Sequence, residues 1–320
     1  MQKKLFRSLL LLFFAAMSAA MLLSAPAALA LASDALTLWF SRMIPALLPF
    51  MILSSLLLLL GLSDSFAALF SPLLRPLLRL SDSCLYCVAV GFLCGFPVGA
   101  KVCAQSLLSG KISRREASLL LAFCNNIGPV YLTGYVLQLF PLPCPWVAVA
   151  GLYGTALLYG CLLRYSVFRD IPFSRPKALS AAAVPDAAPD APSSPALRRT
   201  AANLLSGLHS AVLSSLSSIA TLGGYMIFCN MLNLLPDLLL SGRPALAVLL
   251  SPLLEITGGL ARLPASEAFW AYTLLPFGGL SCLAQTYGCI RDTGLSLTDY
   301  AFHKLIQTVL AAAWFGLWLG

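Results

Sequence analysis

Long apolar runs separated by short polar stretches organise this chain. They cover Ser8–Leu31, Met43–Leu62, Cys84–Leu108, Ala117–Phe140, Pro145–Leu163, Ala211–Leu235, Pro244–Leu260, Ala268–Ile290 and Leu305–Leu319. Most approach the roughly 20 residues that an α-helix needs to cross a bilayer's hydrocarbon. They are apolar on all faces, so the pattern predicts an all-α polytopic membrane protein. Composition agrees: 59% of the 320 residues are apolar and 10% are charged, with a mean hydropathy of +0.88. Soluble domains carry about 25% charged residues, so a water-soluble globule is excluded.

The runs are not all simple spans. Lys3, Lys4 and Arg7 precede the first, and Ala28-Leu29-Ala30 resembles a signal-peptidase site. The run exceeds the roughly 7–15 residues of a signal-peptide core, so residues 1–36 read as an uncleaved N-terminal helix with its start in the cytoplasm. Ser65–Leu80, carrying Pro72, Arg75, Pro76 and Arg79, reads as interfacial or half-inserted. Cys84–Leu108 is interrupted by Gly95, Phe96, Pro97 and Gly99, and Ala268–Ile290 by Pro276, Gly278 and Gly279. Breaks free backbone groups that lipid cannot satisfy, so they belong inside protein or beside a wet cavity. Both segments are expected to be re-entrant hairpins.

With that topology the inside segments are the N-terminus, Ser63–Glu116 and Arg164–Arg199, which hold fifteen Lys and Arg. The outside segments, 32–42 and 236–300, hold four: Arg42, Arg243, Arg262 and Arg291. The net charge of +8 thus follows the positive-inside rule and does not point to nucleic acid. Asp170–Arg199 has six prolines and no periodicity, which predicts a disordered cytoplasmic linker over 165–202. It separates a first unit, 37–164, from a second, 203–320. The two echo each other at an offset of 180: Ser71-Pro72-Leu73-Leu74 with Ser251-Pro252-Leu253-Leu254, Ala104-Gln105 with Ala284-Gln285, Gly99 with Gly279, and Met51 with Met231. On the assigned topology the units run in opposite senses, as inverted repeats of secondary transporters do.

Polar groups inside apolar runs are the functional candidates. Lys101 follows the first hairpin turn, where an ammonium facing a cavity favours an anion and one facing outward snorkels to the interface. Asn125 and Asn126 precede Gly128-Pro129; proline frees the carbonyl four residues back, so amides coincide with a helix break. Glu255 and Thr257 stand in Glu255-Ile256-Thr257-Gly258-Gly259, with Glu255 suited to a protonatable coupling role. Gln105 and Gln285 follow the two turns at matching positions and could serve one central ligand. His209 and His303 read as interfacial. Seven of the ten cysteines lie in apolar runs as small hydrophobes; Cys84-x-x-Cys87 lacks the second pair that a zinc site needs. No phosphate loop, metalloprotease motif or nucleophile elbow occurs, so neither enzyme, cofactor nor metal is expected.

The runs Cys94–Lys101, Leu108–Ser113 and Phe123–Pro129, with Trp39, Ile44–Phe50 and Leu254–Gly259, closely resemble the sporulation integral membrane protein YlbJ family (SpoVV-like), within the wider nucleoside-recognition or Gate-domain group. The resemblance implies two inverted Gate-like repeats, a bacterial cell or forespore membrane, and a role in spore development with dipicolinic acid as the favoured cargo. It also implies kinship with concentrative nucleoside transporters, whose two hairpins hold substrate. The second turn here carries no basic residue matching Lys101, so an anion site would be asymmetric. The expectation is a transporter or conduit for a small anionic solute in the lipid bilayer. A cation-coupled nucleoside carrier and a non-transporting structural protein are the alternatives, and a coupling cation and a homo-oligomer stay open.

Overall fold

A computed structural model describes residues 2–173 and 194–319, so most of the expected linker, 174–193, lies outside the described residues. Every element among the described residues is helical. α1 (Gln2–Leu23) and α2 (Ala25–Leu59) are followed by α3 (Ser63–Leu78), α4 (Asp82–Cys94), α5 (Val98–Leu108) and α6 (Arg114–Cys124). The chain unwinds at 125–128 and continues as α7 (129–139) and α8 (Pro145–Tyr165). After the linker come α9 (Ser194–Met231), α10 (Leu234–Leu239), α11 (Pro244–Leu254), α12 (Ile256–Arg262), α13 (Ala268–Leu274), α14 (Gly279–Ile290) and α15 (Leu297–Leu319). Five stretches are long and apolar enough to cross a membrane: Lys4–Leu23, Ala25–Leu59, Arg114–Leu139, Pro145–Tyr165 and Leu204–Leu239. α3 and α4 are a further apolar pair, bent by 102° at the break between them. The chain is an all-helical, polytopic membrane protein.

Local chemistry explains the ends. Ser113 and Glu116 form a reciprocal capping box at the start of α6, and Ser81 caps α4. Prolines open α7, α8 and α11, where their missing N–H costs nothing. Residues 32–42, expected as an outer loop, are helical instead. No glycine or proline occurs between Ala27 and Ile44, and the Ser41 hydroxyl donates to Thr37 O within the helix (2.6 Å). One π-turn at Trp39–Met43 absorbs the irregularity, and the turn falls at Ser24, just before Pro26. Pro244–Leu260, expected as one run, is broken at Glu255.

α4 is the hub: every residue from Cys84 to Gly91 is buried. A β-carbon on Gly91 would lie 2.2 Å from Cys124 O, and one on Gly160 would lie 2.5 Å from the Phe123 ring. Those glycines let α6 press against both α4 and α8. The fully buried Arg164 donates to Leu78 O (3.0 Å), Phe168 O (2.9 Å) and Ile171 O (2.9 Å). It thereby closes the end of α3 and pins the chain after α8. On the surface beside it, Arg115 pairs with Asp170 at 2.9 Å, and that hydrogen-bonded guanidinium holds the Asp170 carboxyl below its ordinary range. α1 packs through Met17 and Ala20 against Ala28 and Leu234, leaving most of its leucines and phenylalanines outward, as lipid allows.

Candidate functional site

Two chain turns meet two helix breaks at the centre. The first turn, Gly95-Phe96-Pro97, joins α4 and α5, which pack as the expected hairpin. Gly95 has φ +83°, and a β-carbon there would lie 2.3 Å from Gly128 N. Only glycine lets this tip seat against the break at 125–128. The second turn, at 275–278, joins α13 and α14, which both pack on α11 and α15, with α14 reaching α5 and α9 as well. Its Gly278 and Gly279 have φ +73° and +76°. A β-carbon on Gly279 would lie 2.8 Å from Pro252 O, and one on Gly278 would lie 3.3 Å from Phe96 Cε2. This tip therefore touches the other and seats against the end of α11, beside the second break.

A small cavity of about 40 Å³ opens between them. Its walls are apolar (Met43, Leu47, Ile127, Leu222, Met226) apart from Glu255, Thr257 and Gln285, with Phe96 and Tyr131 adding aromatic rings. Glu255 is 1% exposed. It stands in extended backbone between α11 and α12, where Gly258 N–H donates to Oε2 (2.6 Å) and the Ser281 hydroxyl to Oε1 (3.3 Å). The carboxylate thus couples the break to the first turn of α14. Tyr131 donates to Thr257 Oγ1 (3.4 Å) and Tyr135 to Thr257 O (2.7 Å), which brings α7 against α12.

Asn125 is fully buried, with three of its side-chain hydrogen-bonding positions used. Its carbonyl accepts from Ala100 N (3.1 Å), and its amide donates to Thr286 Oγ1 (3.1 Å) and Tyr300 OH (3.0 Å). It ties the first hairpin to α14 and α15. Asn126 donates to Phe123 O (2.7 Å), and its carbonyl accepts from Lys304 Nζ (2.9 Å).

Lys304 escaped the sequence reading. It lies one residue before the run Leu305–Leu319, but α15 begins at Leu297, so Lys304 stands inside a helix and is fully buried. Gln307 Oε1 also accepts from it (3.0 Å), and the Phe96 ring centroid is 5.1 Å from the ammonium. Gln307 in turn donates to Ala122 O (2.5 Å). The available signal was helical spacing: Tyr300, Lys304, Gln307, Ala311 and Phe315 form one buried stripe. His303, on the same helix, lies with Nδ1 2.6 Å from Tyr159 OH.

Lys101 and Gln105 sit elsewhere. Lys101 Nζ donates to Ser214 Oγ (3.0 Å) and Ser218 Oγ (2.9 Å) on α9. Gln105 lines a second cavity of about 360 Å³ with Ser55, Ser109, Lys111, Ser210 and Ser214. The two glutamines therefore do not face one ligand: Gln285 belongs to the central cavity and Gln105 to the other. Of the expected site residues, Phe96, Gly128, Glu255, Thr257 and Gln285 line the central cavity, Asn125 and Asn126 brace it, and Gly95, Pro97, Gly99, Pro129, Pro276, Gly278 and Gly279 shape the turns and breaks.

The chain is 27% identical over 326 aligned positions to the sporulation integral membrane protein YlbJ of Bacillus subtilis (strain 168), covering 94% of this chain and 79% of the relative. That likeness along almost the whole chain supports the YlbJ resemblance. No protein-family model matches the chain, and no solved structure matches it. Three of the segments carrying the family resemblance, 94–101, 123–129 and 254–259, build the first tip and both breaks. The rest of the helices serve to hold these short irregular pieces together.

Proposed function

We propose that this protein is a secondary transporter or conduit that moves a small anionic solute across a bacterial membrane during spore formation, with dipicolinic acid as the favoured cargo. The observation that carries the reading is the central cavity, walled by two chain tips and two helix breaks. Transporters place substrate at such discontinuities because unwound backbone there can be satisfied by protein and ligand. Lys304 and Lys101 support an anion: both are drawn into the helix bundle, and neither has a carboxylate within ion-pair distance among the described residues. The role in spores rests on the name of the Bacillus relative.

An inverted-repeat architecture of the Gate type belongs to the same proposal, with Lys111 and the 165–202 linker on the cytoplasmic side. Its supports are the correspondence of α3–α5 with α11–α14 at an offset near 180 and two contacts between positions 180 apart. Trp39 Nε1 donates to Ile219 O (2.9 Å), and Arg114 donates to Gly294 O. Counterpart positions touch where repeats meet across an axis.

A second reading, a cation-coupled nucleoside carrier, is favoured by Phe96, Glu255 and Gln285 sharing one cavity, a ring to stack on a base and groups to bind hydroxyls. Purified protein in proteoliposomes separates the two. Uptake of labelled dipicolinate above protein-free vesicles, lost in Gln285→Leu, is the expected result. Uptake of uridine alone selects the nucleoside reading. Uptake of neither by monodisperse protein points to a structural role in the spore membrane.

A further inference from the structure

Three helices carry residues at four-residue spacing along the two cavities or between them, which places each set along one face. On α2 these are Met43, Leu47, Met51, Ser55 and Leu59, and on α9 Ser210, Ser214, Ser218, Leu222 and Met226. On α5 they are Lys101, Gln105 and Ser109. One end of the α2 and α9 sets (Met43, Leu47, Leu222, Met226) walls the central cavity. The other (Ser55, Leu59, Ser210, Ser214) walls the second cavity, together with Gln105 and Ser109. Between the two stands Lys101, held by Ser214 and Ser218. The two cavities are thus successive stations along one seam between α2, α5 and α9.

The outer station is polar in a one-sided way. Its lining contains an ammonium, Lys111, whose recorded partner is the Ser63 hydroxyl (3.0 Å). A second ammonium, Lys101, is held by the lining residue Ser214, the serine hydroxyls come from α2, from α9 and from Ser109 just past the end of α5, and no carboxylate lines it. Gln105 Oε1 is buried there without a hydrogen-bond partner. A buried amide oxygen with no donor is costly and leaves room for a donor such as the water that travels with a solute. The ammonium groups and serine hydroxyls, with no acidic residue among the lining, match a small carboxylate, whose oxygens only accept.

We propose that this second cavity is an anion vestibule, collecting a small carboxylate at the Lys111 end and passing it along Lys101 to the central cavity. The inference rests on the transport reading for the direction of passage, but its chemistry is tested separately. In a chain whose exposed and half-buried cysteines (Cys144, Cys161 and Cys289) are serines, Ser214→Cys is a near-isosteric probe. It is reacted with a sulfonate-bearing and with a trimethylammonium-bearing methanethiosulfonate, each rate being normalised to that of a free thiol. A cation-lined cleft focuses anions by tenfold or more, so the sulfonate reagent should react roughly tenfold faster. Lys101→Met should bring the ratio near one, and Lys101→Arg should keep it. Equal rates, a ratio insensitive to Lys101→Met, or no reaction in monodisperse protein overturns the vestibule. Ser210→Cys repeats the test if Ser214→Cys does not fold. Dipicolinate uptake by the same proteoliposomes tells the two ideas apart: anion-selective labelling without uptake leaves the vestibule and removes transport, and uptake with charge-blind labelling does the reverse.

Discussion

The buried ammonium of Lys304 gives the structure a sharp energetic test. Its acceptors on described residues are two side-chain carbonyls, Asn126 Oδ1 at 2.9 Å and Gln307 Oε1 at 3.0 Å. Asn126→Leu keeps side-chain volume but leaves a buried charge with one acceptor. A hydrogen bond to a charged group contributes about 1.5–3 kcal/mol, and stripping a partner from a buried charge costs about 3–5 kcal/mol, so a loss near 3 kcal/mol is expected. Lys304→Met differs in kind. It leaves two carbonyl oxygens unfilled, at about 1–3 kcal/mol each, yet it removes an ammonium desolvation penalty of several kcal/mol. The terms nearly cancel, and Lys304→Met should lie within about 2 kcal/mol of the parent. In the double variant Asn126 has no charge to serve, so its loss should add at most about 1 kcal/mol. The coupling energy is then about 2 kcal/mol or more, over one decade in the unfolding constant at ~1.4 kcal/mol per decade. Unfolding by denaturing detergent in mixed micelles, followed by tryptophan fluorescence, measures all four corners of the cycle. If Asn126→Leu costs the same with and without Lys304, the ammonium does not hold the broken helix, and the account of this site fails.

Two further outcomes follow from the packing. Arg164→Met removes the donors to Leu78, Phe168 and Ile171 carbonyls, and should cost about 3–5 kcal/mol with three buried acceptors left; a melting temperature in detergent within a degree of the parent would contradict this. Gly259→Ala would set a β-carbon 2.3 Å from Pro252 N, against backbone that cannot rotate away. It should destabilise by at least about 2 kcal/mol and reduce dipicolinate uptake with it, whereas the exposed, uncrowded Gly242→Ala should be silent in both assays.

The amino-acid sequence by itself determined the class of solvent and the places where the backbone must break. Those are local demands: a run of apolar residues has nowhere to go but lipid, Pro129 has no N–H to donate to the Asn125 carbonyl, and Gly95 and Gly278 permit φ values that other residues resist. They located the first hairpin, both turns, the break at 125–128 and the buried Glu255. What only the tertiary structure decided is which polar groups share a space. Gln105 and Gln285 occupy matching positions in sequence yet line different cavities, because α5 and α14 present them to different neighbours. Lys304 looked like a residue at the edge of an apolar run until α15 extended eight residues further toward the N-terminus and carried it inside. Asn126 finds it across 178 residues, and Asn125 finds Tyr300 across 175. No periodicity encodes such pairings: they are set by close approaches at Gly91, Gly95 and Gly160, and a polar side chain buried in a low-dielectric interior takes whatever partner those approaches bring within 3 Å.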